Sequence, residues 1–207
     1  MPAGTSTRLE PGRLAENFIT YAEELARLAL QSAESCAADV DRATALVADA
    51  LKKGNKVIAC GNGGSAADAQ HFVAEFVGRY CGDRMPLPAI SLTSDSSILT
   101  ALGNDFGFEE IFARQVRALG QPGDVLVAIS TSGKSRNVLR AAEVAHELGM
   151  SVVALTGDNG DASLATSDAW CRISSRVTAH IQEIHMMILH SICIGVESRF
   201  DFNGPKA

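Results

Sequence analysis

The stretch Val57-Ile58-Ala59-Cys60-Gly61-Asn62-Gly63-Gly64-Ser65-Ala66-Ala67-Asp68-Ala69-Gln70-His71-Phe72-Val73-Ala74-Glu75 changes character twice, and that double change decides the fold. Its first four residues form a continuous apolar run, the pattern of a strand buried on both faces of a parallel sheet. Gly61-Asn62-Gly63-Gly64 breaks the run, and Ser65 is placed to cap a helix that follows. Glycines there allow positive φ and close approach of a ligand to the backbone, while a helix start offers unpaired N–H groups and a positive dipole end. His71 and Glu75 stand at i, i+4 on the same helix and therefore share a face. One strand–loop–helix unit thus offers a cradle for an anion and, farther along, either a solvated His/Glu pair or an acid/base or metal-binding pair.

Outward from this unit the alternation repeats. Strand-like runs recur at Lys56–Cys60, Ala89–Leu92, Val125–Ile129, Ser151–Leu155 and Ala169–Ile173. Helical stretches separate them at Ser65–Arg79, Ser96–Leu102, Glu109–Leu119, Ser135–Leu148 and Asp161–Ala165. Apolar strands alternating with helices predict an α/β fold, a three-layer αβα sandwich around a five-stranded parallel sheet. Two helices, Leu14–Ala33 and Cys36–Leu51, are expected before the first strand, preceded by a flexible segment over residues 1–12. That is more helix than the sheet requires, so residues 14–51 are expected to serve as an oligomerisation segment of a single-domain chain. A closing helix, Thr178–Arg199, is apolar nearly all round, which predicts burial, in part against neighbouring chains.

A second strand ends in Ser130-Thr131-Ser132-Gly133-Lys134-Ser135 before a helix. Clustered hydroxyls and helix-start N–H groups suit a phosphate, although the same serines also read as a plain capping cluster. Ligands of open α/β sheets bind outside the carboxyl ends of strands, where this loop falls. A nucleotide P-loop is excluded, because Ala128 stands where that motif requires its first glycine. In the closing helix Gln182, Glu183, His185 and His190 interrupt apolar sequence, and each needs a hydrogen bond, an ion or water. Glu183 and His185 read as capping, subunit-bridging or water-facing groups. Gln182 and His190 lie about 12 Å apart along a helix, barely within reach of one ion unless the helix bends or a second subunit contributes. The turn Gly103-Asn104-Asp105-Phe106-Gly107-Phe108 reads equally as local turn chemistry or as a hydrogen-bonding edge for substrate hydroxyls.

Composition narrows the field. A 207-residue chain with net charge −6 and no basic cluster does not read as a nucleic-acid binder. No apolar run approaches the roughly 20 residues of a membrane helix, and the N-terminus lacks the apolar core of a secretory signal. Five scattered cysteines (Cys36, Cys60, Cys81, Cys171 and Cys193) favour a reducing, cytoplasmic setting, with Cys60 and Cys193 as small core residues.

Taken in order, Gly61-Asn62-Gly63-Gly64-Ser65, His71-Phe72-x-x-Glu75, Gly103-Asn104-Asp105-Phe106-Gly107, Ser130-Thr131-Ser132-Gly133-x-Ser135 and Ile181-Gln182-Glu183-x-His185 resemble the phosphoheptose isomerases. These are sugar isomerase (SIS) domain enzymes with a flavodoxin-like sheet, and the likeness spans nearly the whole chain. The resemblance implies conversion of sedoheptulose 7-phosphate to D-glycero-D-manno-heptose 7-phosphate, which feeds heptose synthesis for bacterial surface glycans. It further implies a homotetramer with intersubunit sites and one zinc ion per subunit. By resemblance His71, Glu75, Gln182 and His190 are the metal ligands, and Glu75 and His190 the acid/base pair. Asn62, Gly63, Gly64, Asn104, Asp105, Ser130, Thr131, Ser132 and Ser135, with Glu75 and Gln182, would hold the sugar phosphate. Ala179-His180 stand where relatives commonly carry an aspartate and, immediately before Ile181, an arginine, so any role of that aspartate is lost and His180 is expected at the pocket rim. Lys134 replaces a frequent asparagine. Two rivals remain: a non-enzymatic SIS tetramer resembling the replication-initiator-associating proteins, which lack a glutamate at the position of Glu75, and an isomerase for another sugar phosphate.

Overall fold

The computed structural model describes residues 14–160 and 162–200; the N-terminal segment expected to be flexible lies outside them. Helix α1 (Leu14–Lys52) leads to β1 (Val57–Gly61), α2 (Gly64–Val77), β2 (Ala89–Ser91), α3 (Ser96–Phe106) and α4 (Ala113–Leu119). Then follow β3 (Val125–Ser130), α5 (Arg136–Glu147), β4 (Ser151–Gly157), β5 (Ala169–Ile173) and α6 (Thr178–Ser198). The five strands form one all-parallel sheet in the order β2-β1-β3-β4-β5.

Successive strand residues point to opposite faces and divide the core in two. Val57, Ala59, Val125, Val127, Ile129, Val153 and Leu155 pack with residues of α1, α2 and α6. Ile58, Cys60, Leu126, Ala128, Val152 and Ala154 pack with α4 and α5 on the other side. The expected three-layer sandwich is therefore present, and Cys60 and Cys193 are buried as anticipated.

Three expectations need correction. The two N-terminal helices are one, 39 residues long, because Ala33-Glu34-Ser35 contains neither proline nor glycine to stop it. Helix α2 begins earlier than expected: Gly63, at φ +56°, caps it, and Ser65 lies buried inside its first turn. The helix expected over Glu109–Leu119 is split into a 3₁₀ turn, Phe108–Glu110, and α4, since Ile111 and Phe112 between them turn into the core.

The topology sets the site. Strands β1 and β3 are neighbours, paired Cys60↔Ala128 and Gly61↔Ile129, yet the helices that follow them leave to opposite faces. Their two loops therefore emerge side by side at a topological switch point, where open parallel sheets bind ligands.

The opposite, amino end of the sheet is pinned by Asp124. Its buried carboxylate accepts from the Lys56 backbone N–H (3.0 Å), the Gln121 N–H (2.8 Å) and the Lys56 ammonium. Burial pushes its pKa up, but the Lys56 and Gln121 hydrogen bonds outweigh that and hold it below the ordinary carboxylate value. A depressed carboxylate contributes stability that is present above its unfolded pKa of about 3.9 and is lost as pH falls towards the folded value. Asp124→Asn is expected to cost about 1–3 kcal/mol at pH 7, with the gap between variant and parent melting temperatures closing as the pH approaches 3.

Candidate active site

The first loop is shaped by contacts only glycine tolerates. A Cβ on Gly61 would lie 2.5 Å from the Ser65 carbonyl oxygen, so the strand end and helix start could not approach as they do. A Cβ on Gly64 would run into the side-chain amide of Gln182 from α6. Gly64 therefore admits Gln182 to the loop, and the α6 start is fastened beside it.

The second loop is wired internally. Ser130, buried, accepts from the Gly133 N–H (3.1 Å) and bonds Ser135 Oγ (3.0 Å). Gly133 turns at φ +62°, and Ser132 Oγ accepts from the Lys134 N–H (3.1 Å). Hydroxyls and backbone donors are thus held in one tight turn before α5. A reciprocal amide pair, Asn62 with Asn137, 2.9 Å in both directions, joins the two loops. Asn137 is buried at the start of α5 and was not anticipated. The signal was available: a polar residue next to Val138 on the inward face of an amphipathic helix needs a partner. Thr131 lies close by, its carbonyl accepting from the Gly157 N–H (3.0 Å) at the end of β4, and a Cβ on Gly157 would run into Ile181.

On the α2–α6 seam His71 Nε2 lies 3.0 Å from Glu75 Oε1 and 3.4 Å from His190 Nε2. One donor atom from each of the three falls within 4.8 Å of the others. Two imidazoles and a carboxylate are the donor types of a zinc centre with an open position, so the residues fit such an ion. All three come from one chain. Gln182 sits two turns before His190, at the glycine loop, and its ligand role rests on resemblance. Tyr80 lays its ring against His190, 5.4 Å between centroids and tilted 34°. Asp68, one turn before His71 on the same helix, is half-buried, and burial pushes its carboxyl up to about 6 against the pull of His71. Neither was singled out from the sequence, although Asp68 at i−3 from His71 follows from helical spacing.

Other expected residues are placed differently. Asn104 and Asp105 belong to the last turn of α3 rather than to an open turn, exposed and bonded to each other (2.8 Å). Glu183 faces water and accepts from the Tyr21 hydroxyl (2.7 Å). His185 does not face water; it is fully buried, and burial pushes its imidazole down to about 4, so it is neutral at pH 7. His180 is buried too, its ring inclined at 59° to that of Tyr21 with centroids 4.4 Å apart, and packs into the α1–α6 seam instead of standing at a rim.

The chain is similar in sequence and fold to known proteins. The SIS domain family model matches residues 20–157. A phosphoheptose isomerase of Campylobacter concisus is 53% identical over 161 residues, spanning 78% of this chain and 85% of its own. One of Shewanella loihica is 49% identical over 171 residues, 81% of this chain and 87% of its own. The structure of a phosphoheptose isomerase from Neisseria gonorrhoeae superimposes with a TM-score of 0.84 at 44% identity, over 89% of this chain and 99% of that one.

The Gly64–Gln182 contact supplies a test. Gly64→Ala forces the end of a flexible side chain to move, which costs the fold little. A melting temperature within a few degrees of the parent is expected, together with an approximately tenfold or greater loss of kcat/KM, as displacement of an amide lining the first loop implies.

Proposed function

The chain belongs to the SIS-domain family and, within it, to the phosphoheptose isomerases, and from this we propose that it converts sedoheptulose 7-phosphate to D-glycero-D-manno-heptose 7-phosphate through an enediol. The observation that carries the reading is the convergence of His71, Glu75 and His190 within one chain, beside two loops suited to a phosphate and hydroxyls.

In this reading the serine loop holds the phosphate, with Ser130, Thr131, Ser132 and Ser135 as its hydroxyls. Binding energy at that remote group positions the reacting carbons. Asn62, Gly63 and Gly64 contact the sugar, with Asn104 and Asp105 as further hydroxyl partners. Glu75 removes the C1 proton beside the C2 carbonyl, and His190 protonates the carbonyl oxygen, giving the enediol. Glu75 then returns its proton to C2 while His190 takes the proton from the C1 hydroxyl, leaving the aldose. His71, Glu75 and His190, with Gln182, are the residues that would hold a zinc ion. Such an ion, when bound, stabilises negative charge on the substrate oxygens as a Lewis acid.

The assembly proposed is a homotetramer. The exposure of Phe18, Ile19 and Leu30 on α1 and of Ile194 on α6 supports it, since apolar side chains on two packed helices leave a surface that a further copy would cover. Among the described residues no helix is long and apolar enough to cross a membrane. We place the enzyme in the cytoplasm, supplying heptose for bacterial surface polysaccharide. The glutamate at position 75 argues against a non-enzymatic SIS protein.

Glu75→Gln keeps the shape of the side chain and removes the base. Incubated with sedoheptulose 7-phosphate, it is expected to lose roughly 10²–10⁴-fold in kcat while still binding inorganic phosphate; turnover within a few-fold of the parent would overturn the assignment. Stripping the parent with a chelator should depress activity, and zinc should restore it. Unchanged turnover after metal removal would dispose of the zinc reading and leave the acid/base pair standing.

A further inference from the structure

Glu75 lies in the last turn of α2, where backbone carbonyls have no partner within the helix and ends fray. Here that turn is locked. The Arg84 guanidinium donates through Nη1 to the Phe76 carbonyl (2.9 Å) and through Nη2 to the carbonyl of Glu75 itself. A cation is also favoured at a helix C-terminus by the dipole. Arg84 Nη1 makes a further bond to the Met85 carbonyl (3.1 Å). Its Nε is held by Glu197 Oε1 at 2.7 Å, and the Arg84 side chain is only 1% exposed.

Glu197 belongs to α6, two turns beyond His190. Its carboxylate also accepts the backbone N–H groups of Tyr80 (3.1 Å), Cys81 (3.1 Å) and Gly82 (3.3 Å). Burial pushes the Glu197 carboxyl up, but the Arg84 bond and these backbone donors hold it below its ordinary value. The loop so gripped is the one that lays Tyr80 on His190.

We infer that Arg84, Glu197 and Tyr80 are positioning residues for the isomerase: the Arg84–Glu197 pair fixes the end of α2 to α6, sets Glu75 and His71 against His190, and presses the Tyr80 ring on the His190 imidazole. None of the three touches the reacting atoms. The pair bridges the two helices that carry the acid/base groups, with one end bonded to the backbone of Glu75. The inference rests on the activity proposed above.

The test compares Glu197→Gln, Arg84→Lys, Tyr80→Ala and Tyr80→Phe with the parent, by kinetics on sedoheptulose 7-phosphate and by zinc retention against a competing chelator. Outer partners of this kind are worth about 10–100-fold in activity or metal affinity. Glu197→Gln and Arg84→Lys are expected to lower kcat by about tenfold or more with KM within about twofold, and to release zinc at about tenfold lower chelator concentration. Lysine cannot rescue, because a point charge cannot serve Glu197, Phe76 and Glu75 together. Tyr80→Ala should lose kcat likewise, and Tyr80→Phe, which keeps the ring, should restore it. Folded variants with kcat and zinc retention within twofold of the parent would overturn the inference. If the clamp variants do not fold, the tyrosine pair decides: an alanine variant as active as the parent refutes it. A parent inert on the sugar phosphate but retaining zinc would sink the activity reading, and the clamp would then be judged by zinc retention alone.

Discussion

The packing of α2 against α6 is the constraint on which the rest of the molecule depends. Phe72 and Phe76 are buried in the same cluster as Ile184, Ile188, Leu189 and Ile192, and the two phenyl rings meet edge to face at 4.9 Å. This apolar contact fixes the relative height of the two helices, and with it which polar residues meet on the outer side of the seam. His71 precedes Phe72 and Glu75 precedes Phe76, as His190 follows Leu189, so each polar group is carried by the core side chain next to it. A buried aromatic contributes on the order of 1.5–3 kcal/mol, more than a His–Glu contact exposed to water provides. The core dictates the geometry and the functional groups follow it.

The two loops obey a different constraint, that of backbone proximity. Gly61 lets β1 run into α2 with the Ser65 carbonyl where a methyl group would stand, and Gly64 admits Gln182. The Asn62–Asn137 pair then locks the first loop to the helix behind the second. From Gly64 to His71 is about 10 Å along α2, and from Gln182 to His190 about 12 Å along α6. The two loops and the His71–Glu75–His190 cluster are thus set at the two ends of parallel spans of the same helices. This separation suits a substrate whose phosphate is carried at the far end of its carbon chain from the carbonyl.

Much of this was legible in the sequence, and what was not has physical reasons. Parallel strands buried on both faces leave continuous apolar runs, so all five strands were found, with errors only at their ends. The His71–Glu75 pair was visible because helical spacing is fixed locally. Its meeting with His190 was given by the resemblance alone, since contact between residues 71 and 190 is decided by the seating of Phe72 on α6 and not by any local pattern. The single long α1 reads as two helices because Glu34 and Ser35, between Ala33 and Cys36, look like a polar break, although neither stops a helix. Asn104 and Asp105 were read as a turn from their chemistry; the Asp95 cap, whose side chain accepts from the Ile98 N–H, starts a helix long enough to absorb them.

The departures near the start of α6 follow the same logic. His180, immediately before Ile181, is buried against the Tyr21 ring. Tyr21 in turn donates to Glu183, with burial first and that carboxylate second pushing the phenol up to about 12, so it stays a donor across the physiological range. His180 and Glu183 bracket Gln182, and both are engaged by one tyrosine of α1. His180 thus ties the first turn of α6 to α1 by an inclined ring contact, beside the hydrogen bond from Tyr21 to Glu183. The long N-terminal helix, which the sheet does not need for its core, thus acquires a direct hold on the residues either side of the amide that enters the glycine loop.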